Sequence, residues 1–245
     1  MQKHPITPPL IEQLDSGHGA SVLSIYPKVN ANLADVSLAA ARGVAPTIEK
    51  PTLLVGWSSG GALAYQLAMD LSAQQSMVKG VALIDTSQRL GHASMERKLS
   101  TFGQLIAGTL QKNAVLKYPP DAGPKTIADV TRDVNKLLPD AGLKENEAKR
   151  LFDAFSANLD IFSDFEPQPL DVPTFFLAAE GGRRGLAADW ADAKCPMTQV
   201  EALECSHFSF FDQDWLDVTV RWLHRSIKDS ESSTLPRIAV STAAE

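Results

Sequence analysis

Ser58 stands in the run Gly56-Trp57-Ser58-Ser59-Gly60-Gly61, a G-x-S-x-G pattern with one further glycine behind it. A serine hydroxyl is a poor nucleophile until a base within hydrogen-bond reach can take its proton, so this run calls for a histidine elsewhere in the chain. Five histidines are available. His4 and His18 lie upstream of the serine, His92 opens a long helical stretch, and His224 falls in the last helical pattern. His207 is placed differently: Cys205-Ser206-His207-Phe208-Ser209 follows the last β-type run directly and precedes the terminal helix. A base arriving late in the chain fits the order of nucleophile, acid, histidine found in α/β-hydrolases. Two carboxylates could orient it. Asp85 ends the β-type run after the serine, and Glu180 follows the next one, in Ala178-Ala179-Glu180-Gly181-Gly182. Both sit where the carboxyl ends of parallel strands place functional side chains. The plain alternatives are a Gly/Ser-rich connecting loop, a surface histidine and solvated loop carboxylates that cap neighbouring N–H groups.

The serine pattern acquires a mechanism only if a buried strand feeds it and a helix leaves it. Residues 52–56 (TLLVG) are apolar on both faces, as in the middle of a covered parallel sheet. Residues 60–75 carry Leu63, Leu67, Ala68 and Leu71 on one helical stripe. At such a strand-to-helix turn, the residues two before and two after the serine must be small. The backbone N–H of Ser59 then points to where an oxyanion would form, at a helix N-terminus that favours negative charge. The pattern, rather than local chemistry, selects Ser58 over Ser59.

Alternating β-type and helical patterns extend this unit in both directions and predict βαβ units around a parallel sheet. Strands are expected over 21–26, 52–56, 78–84, 174–178 and 198–203. Helices are expected over 32–42, closed by Gly43, and over 60–75, 186–193 and 213–224. Between Ser87 and Asp171 the alternation stops. Helical stretches near 95–115, 126–138 and 143–162 are separated by the turn-rich segments YPPDAGP and LPDAG. An insertion this long, leaving from the strand end that carries Asp85, reads as a lid over a site. The expected organisation is one domain over 1–228, with the lid at about 87–171. The tail 229–245 is small, polar and patternless, and is expected to be disordered.

Whole-chain properties narrow the partners. The 245 residues suit one α/β domain, and 44% hydrophobic with 21% charged residues is an ordinary globular composition. A net charge of −6 argues against nucleic acid or an anionic membrane surface. No apolar stretch approaches the roughly eighteen residues needed to span a bilayer, and the first nine residues lack the apolar core of a secretory signal. Cys195 and Cys205 have no metal-ligand spacing and read as buried free thiols. A cytoplasmic location with no metal and no resident cofactor is expected.

The stretch LLVGWSSGGALAYQLAMDL…VKGVALIDTS resembles the thioesterase domains that end nonribosomal peptide and polyketide synthases, which carry a G-W-S-x-G-G elbow and then a hydrophobic strand ending in aspartate. LFDAFSANLDIFSDFEPQPLDVPTFFLAAE resembles the end of their lid and the strand after it, and CSHFSFF resembles their G-D-H-F-S-M histidine loop. The likeness runs from about Thr52 to Leu223. It implies an α/β-hydrolase core with a helical lid, acting on acyl chains held on the phosphopantetheine of an acyl or peptidyl carrier protein, or on coenzyme A. It also implies Asp85 as the acid, since Asp85 lies 27 positions after Ser58 (85 − 58), the family's usual spacing. Trp57 leans towards release domains rather than stand-alone editing thioesterases.

Two departures stand out. Cys205-Ser206 replaces the family's Gly-Asp, which supplies no triad member. The family's first strand, whose following loop gives the second oxyanion donor, has no counterpart before Ser21, where the only candidate run is rich in proline. The expected fold is therefore an α/β-hydrolase lacking the usual first strand and oxyanion loop, with Ser59 N–H as its one well-placed backbone donor. Losing one such donor costs about a hundredfold or more in rate. The expected activity is release of an acyl, polyketide or peptidyl chain from a thioester through a Ser58 acyl-enzyme. General carboxylester hydrolysis and a non-hydrolytic, product-binding or cyclising role are the alternatives on the same fold.

Overall fold

The computed structural model describes residues 14, 32–72, 77–88, 93–111, 114, 116–118, 123–180 and 186–232. The strand expected over 21–26, the proline-rich segment before it and residues 233–245 lie outside the described residues. So does the question of a first strand and its oxyanion loop.

Four strands form one sheet in the order β1 (Thr52–Trp57), β2 (Val78–Ile84), β3 (Thr174–Ala179) and β4 (Gln199–Leu203). Every neighbouring pair is parallel. All four carboxyl ends therefore meet at one edge, and the register aligns them: Trp57 pairs with Ile84, Ile84 with Leu177, and Ala179 with Leu203.

The apolar runs of β2 and β3 are continuous because both faces are covered. Val81, Leu83 and Phe176 point into one core with α1 (Leu33–Val44) and α2 (Ser59–Ser72). Ala82, Ile84, Phe175 and Leu177 point into a second core against Trp222 and Leu223 of the last helix. Trp190 of the short helix α6 (Leu186–Asp192) joins the first core.

α1 starts at Asn32, whose side chain accepts the Asp35 N–H at 2.8 Å. Gly43 does not stop this helix. α1 runs through it to Val44 and tightens into a 3-10 turn over Ala45–Thr47. Pro46 in that turn brings no N–H to continue the ladder. At the other end of the chain, α7 (Gln213–Ser232) runs eight residues past the expected 224, taking in the first part of the expected tail.

Between β2 and β3 no strand occurs among the described residues. Instead α3 (Met95–Leu110), α4 (Ile127–Leu137) and α5 (Glu145–Asp160) pack on one another. Ser94 caps α3, and Thr126 with Asp129 forms a capping box on α4. The three helices share their own apolar core of Leu99, Phe102, Val130, Val134, Ala148 and Phe152, separate from the cores of the sheet.

Candidate active site

The serine run is a strand-to-helix turn held by close backbone approach. β1 ends at Trp57, Ser58 takes a left-handed backbone with φ 56°, and α2 begins at Ser59. The Ser58 N–H donates to the carbonyl of Ile84 at 2.9 Å, and the Gly61 N–H to the carbonyl of Ser58 at 3.0 Å. A Cβ on Gly56 would lie 2.2 Å from the carbonyl oxygen of Gly60, so the residue two before the serine has to be glycine. A Cβ on Gly61 would lie 1.9 Å from Thr86 Oγ1, which makes that glycine the point where α2 meets the end of β2. Gly60 differs from the expectation, because a Cβ there would meet open space. The tight positions are two before and three after Ser58. The second follows from packing on the neighbouring strand, which the linear pattern does not contain.

Asp85 also adopts a left-handed backbone, φ 45°, immediately after β2. Such conformations cost of order 1–3 kcal/mol in non-glycine residues and persist only where the surroundings impose them. Here the Asp85 N–H donates to the carbonyl of Leu177 at 2.8 Å, and Oδ1 accepts the Ala179 N–H at 3.0 Å. The next residue is pinned too: its carbonyl, on Thr86, accepts the buried indole N–H of Trp190 at 3.0 Å. Asp85 is 5% exposed, so its second oxygen is directed at one partner rather than at water.

That partner is His207. Asp85 Oδ2 lies 2.6 Å from His207 Nδ1, and His207 Nε2 lies 3.1 Å from Ser58 Oγ. Both separations are within hydrogen-bond reach and join one residue after β1, one after β2 and one after β4. Glu180, the other candidate acid, is exposed, and its backbone N–H donates to the carbonyl of Leu203 at 2.8 Å. The carboxylate on the imidazole is that of Asp85. Ser59, as the first residue of α2, contributes its N–H to the first turn of that helix, whose donors have no intrahelical partner.

Contacts that the sequence reading did not anticipate surround the imidazole. Trp57 stacks on it with ring centroids 5.0 Å apart and an interplanar angle of 29°, and its Nε1–H donates to the His207 carbonyl at 3.1 Å. Phe208 stands edge-on to the same ring. Phe208 in turn meets α3, where a Cβ on Gly108 would lie 2.9 Å from its ring. The only sequence signal for this group is the aromatic character of the residues next to Ser58 and His207.

Both cysteines are free and buried, as expected. Burial, with the charges of Asp85 and Asp212 adding to it, pushes the Cys205 thiol up to about 11. Two residues from the imidazole, it thus stays a neutral thiol. Among the described residues, no group of His, Cys, Asp and Glu side chains is arranged to hold a metal ion, and no helix is long and apolar enough to cross a membrane.

The family profile described as "Thioesterase domain" matches residues 28–227. No curated protein sequence gives a significant match. Among solved structures, the chain is similar to RedJ, a thioesterase from the prodiginine biosynthetic pathway in Streptomyces coelicolor. The TM-score is 0.62 at 16% identity, over 90% of this chain and 84% of that one. It is similar to the NocB thioesterase domain in covalent complex with a fluorophosphonate nocardicin G analogue, with TM-score 0.54, 16% identity and coverage of 88% and 79%. It is also similar to part of holo-AB3403, a four-domain nonribosomal peptide synthetase, with TM-score 0.59 and 21% identity over 80% of this chain. That match spans 16% of the synthetase's length.

Proposed function

The chain belongs to the thioesterase domain family, and from that membership we propose that it releases an acyl, polyketide or peptidyl chain from a carrier-protein or coenzyme A thioester through an acyl-enzyme on Ser58. The observation that carries the reading is the pair of contacts from His207, 2.6 Å to Asp85 and 3.1 Å to Ser58.

In this reading Ser58 Oγ attacks the thioester carbonyl carbon while its proton passes to His207 Nε2. The negative oxygen of the tetrahedral intermediate is received by the Ser59 N–H at the start of α2. Collapse of the intermediate breaks the carbon–sulfur bond, and the departing thiolate takes the proton from His207. Asp85 holds the imidazole in the tautomer with hydrogen on Nδ1 and stabilises the cation that forms. The acyl chain, now an ester of Ser58, leaves by attack of water or of a nucleophile within the chain, with His207 again serving as base. No metal and no resident cofactor enters these steps, since the pantetheine arm arrives with the substrate. A carrier-protein donor is supported by the likeness to a synthetase of four domains, and the helices α3–α5 are read as the lid over the acyl chain.

Intact-protein mass spectrometry after exposure to an acyl-thioester mimic tests the reading. Wild-type protein should gain one acyl mass, mapped by peptide analysis to Ser58, and Ser58→Ala should gain none. Steady-state thioester hydrolysis should fall about 10³-fold or more in the same variant. Faster turnover of the matched oxyester than of the thioester would move the chain to general carboxylester hydrolysis.

A further inference from the structure

We infer that Trp57 is a positioning residue for the base, acting through the His207 imidazole rather than on the substrate; the inference rests on the proposed role of His207 towards Ser58. The indole ends β1 immediately before Ser58 and is partly buried at the edge of the second core, and packing there does not by itself call for its contacts with His207. It makes two distinct contacts with one residue 150 positions away, a ring stack and an Nε1–H bond to the main-chain carbonyl of His207.

The imidazole has two demands to meet at once, Nδ1 on Asp85 and Nε2 on Ser58. A ring held by Asp85 alone can still pivot about that bond, and a pivot carries Nε2 out of line with Ser58 Oγ. Hydrogen bonds weaken steeply with such misalignment. The indole face lies across this motion at 5.0 Å, and Phe208, edge-on at 5.0 Å and 86°, stands against the ring in a second direction. The bond from Nε1 fixes the backbone from which the ring hangs. Trp57 is itself seated: Phe211 meets it edge-on at 5.6 Å and 87°, and Phe208 at 6.2 Å and 79°. These stacked and T-shaped arrangements are the ones that aromatic quadrupoles favour. Gly108 of α3 closes the outer side of Phe208, so a lid helix backs the clamp.

The test measures the rate constant for labelling Ser58 with an alkyl fluorophosphonate. In that reaction the serine oxygen displaces fluoride from phosphorus and the hydroxyl proton passes to His207. The proteins are wild type, Trp57→Phe and Trp57→Leu, each also in a His207→Ala background, with unfolding midpoints measured alongside. Trp57→Leu removes the stack and the N–H, and should slow labelling by about ten- to a hundredfold, the scale of a small misplacement of a reacting group. Trp57→Phe keeps an aromatic ring but loses the N–H and part of the stacking face, and should slow it about threefold. Neither change should slow labelling further once His207 is alanine, because coupled residues are not additive. Wild-type labelling rates in Trp57→Leu would overturn the inference, as would an equal slowing in both backgrounds. Should Trp57→Leu fail to fold, Trp57→Phe with and without His207 carries the comparison on the same criterion. Wild-type protein that takes no label on Ser58 removes the proposed function itself, and the clamp with it.

Discussion

Two carboxylates follow adjacent strands of the sheet, and their surroundings give them different work. Asp85 is buried, held by two backbone bonds in a left-handed conformation, and faces an imidazole. Glu180 is exposed, and among the described residues its backbone N–H is what bonds it to the fold. Asp85→Asn preserves the shape but presents an amide to Nδ1, which favours the wrong tautomer. Kcat for thioester hydrolysis should then fall on the order of 10⁴-fold, by analogy with the serine-protease aspartate. Glu180→Gln should leave kcat within about threefold, as expected for a surface change away from the reacting atoms. The reverse ranking in steady-state kinetics would mean that the acid has been assigned to the wrong strand. Chain order made Asp85 legible as one of two candidates and the resemblance to the thioesterase domains favoured it, but its backbone conformation and its bond from Ala179 depend on strand register. The indole on His207 was equally hidden, since it joins residues 150 positions apart.

At the scale of elements, the turn at Ser58 depends on two glycines for different reasons, and a third is dispensable. Gly56→Ala drives a methyl group into the backbone of Gly60, and Gly61→Ala drives one into Thr86. Each should cost about 1–3 kcal/mol or more in urea unfolding, the range for overpacked sites. Gly60→Ala meets open space on a helix, so it should be neutral or gain up to about 1 kcal/mol from propensity. A Gly60→Ala variant as unstable as Gly56→Ala would contradict this division. Most elements were legible because periodicity survives burial: β2 spans the residues expected, and the other described strands and most helices shift at their ends by one to five residues. The end of α7 was not, because DSES has no apolar stripe to read. Ser226 and Ser230 are buried there with their hydroxyls turned back onto the Trp222 and Ile227 carbonyls. Ser230 packs where Gly80 of β2 offers no side chain. Small residues let helix and strand approach closely, and composition alone mistakes them for a tail.

Taken whole, the molecule should show two stability tiers. β2 and β3 are buried between two cores, whereas α3–α5 pack mainly around their own. Among the described residues, the ties of this layer to the body include the bond from the Leu33 N–H to the Ile161 carbonyl at 2.9 Å and the seat of Gly108 on Phe208. Units with few links to the main core open at lower free energy than the core itself. Native-state hydrogen exchange should find the amides of Val134 and Phe152 opening about tenfold or more faster than those of Val81 and Phe176. Equal protection across the two sets would show a single cooperative unit. The order in which the three residues of the site occur along the chain also has a temporal meaning. His207 is 122 positions beyond Asp85 and 149 beyond Ser58. At about 5–20 residues per second, a ribosome takes roughly 6–24 s to go from the aspartate to the histidine. Throughout that interval the emerging serine has no His207 beside it. On the mechanism proposed above, the nascent chain is then harmless to thioesters around it, and competence would arrive only with β4 and the turn after it that carries His207.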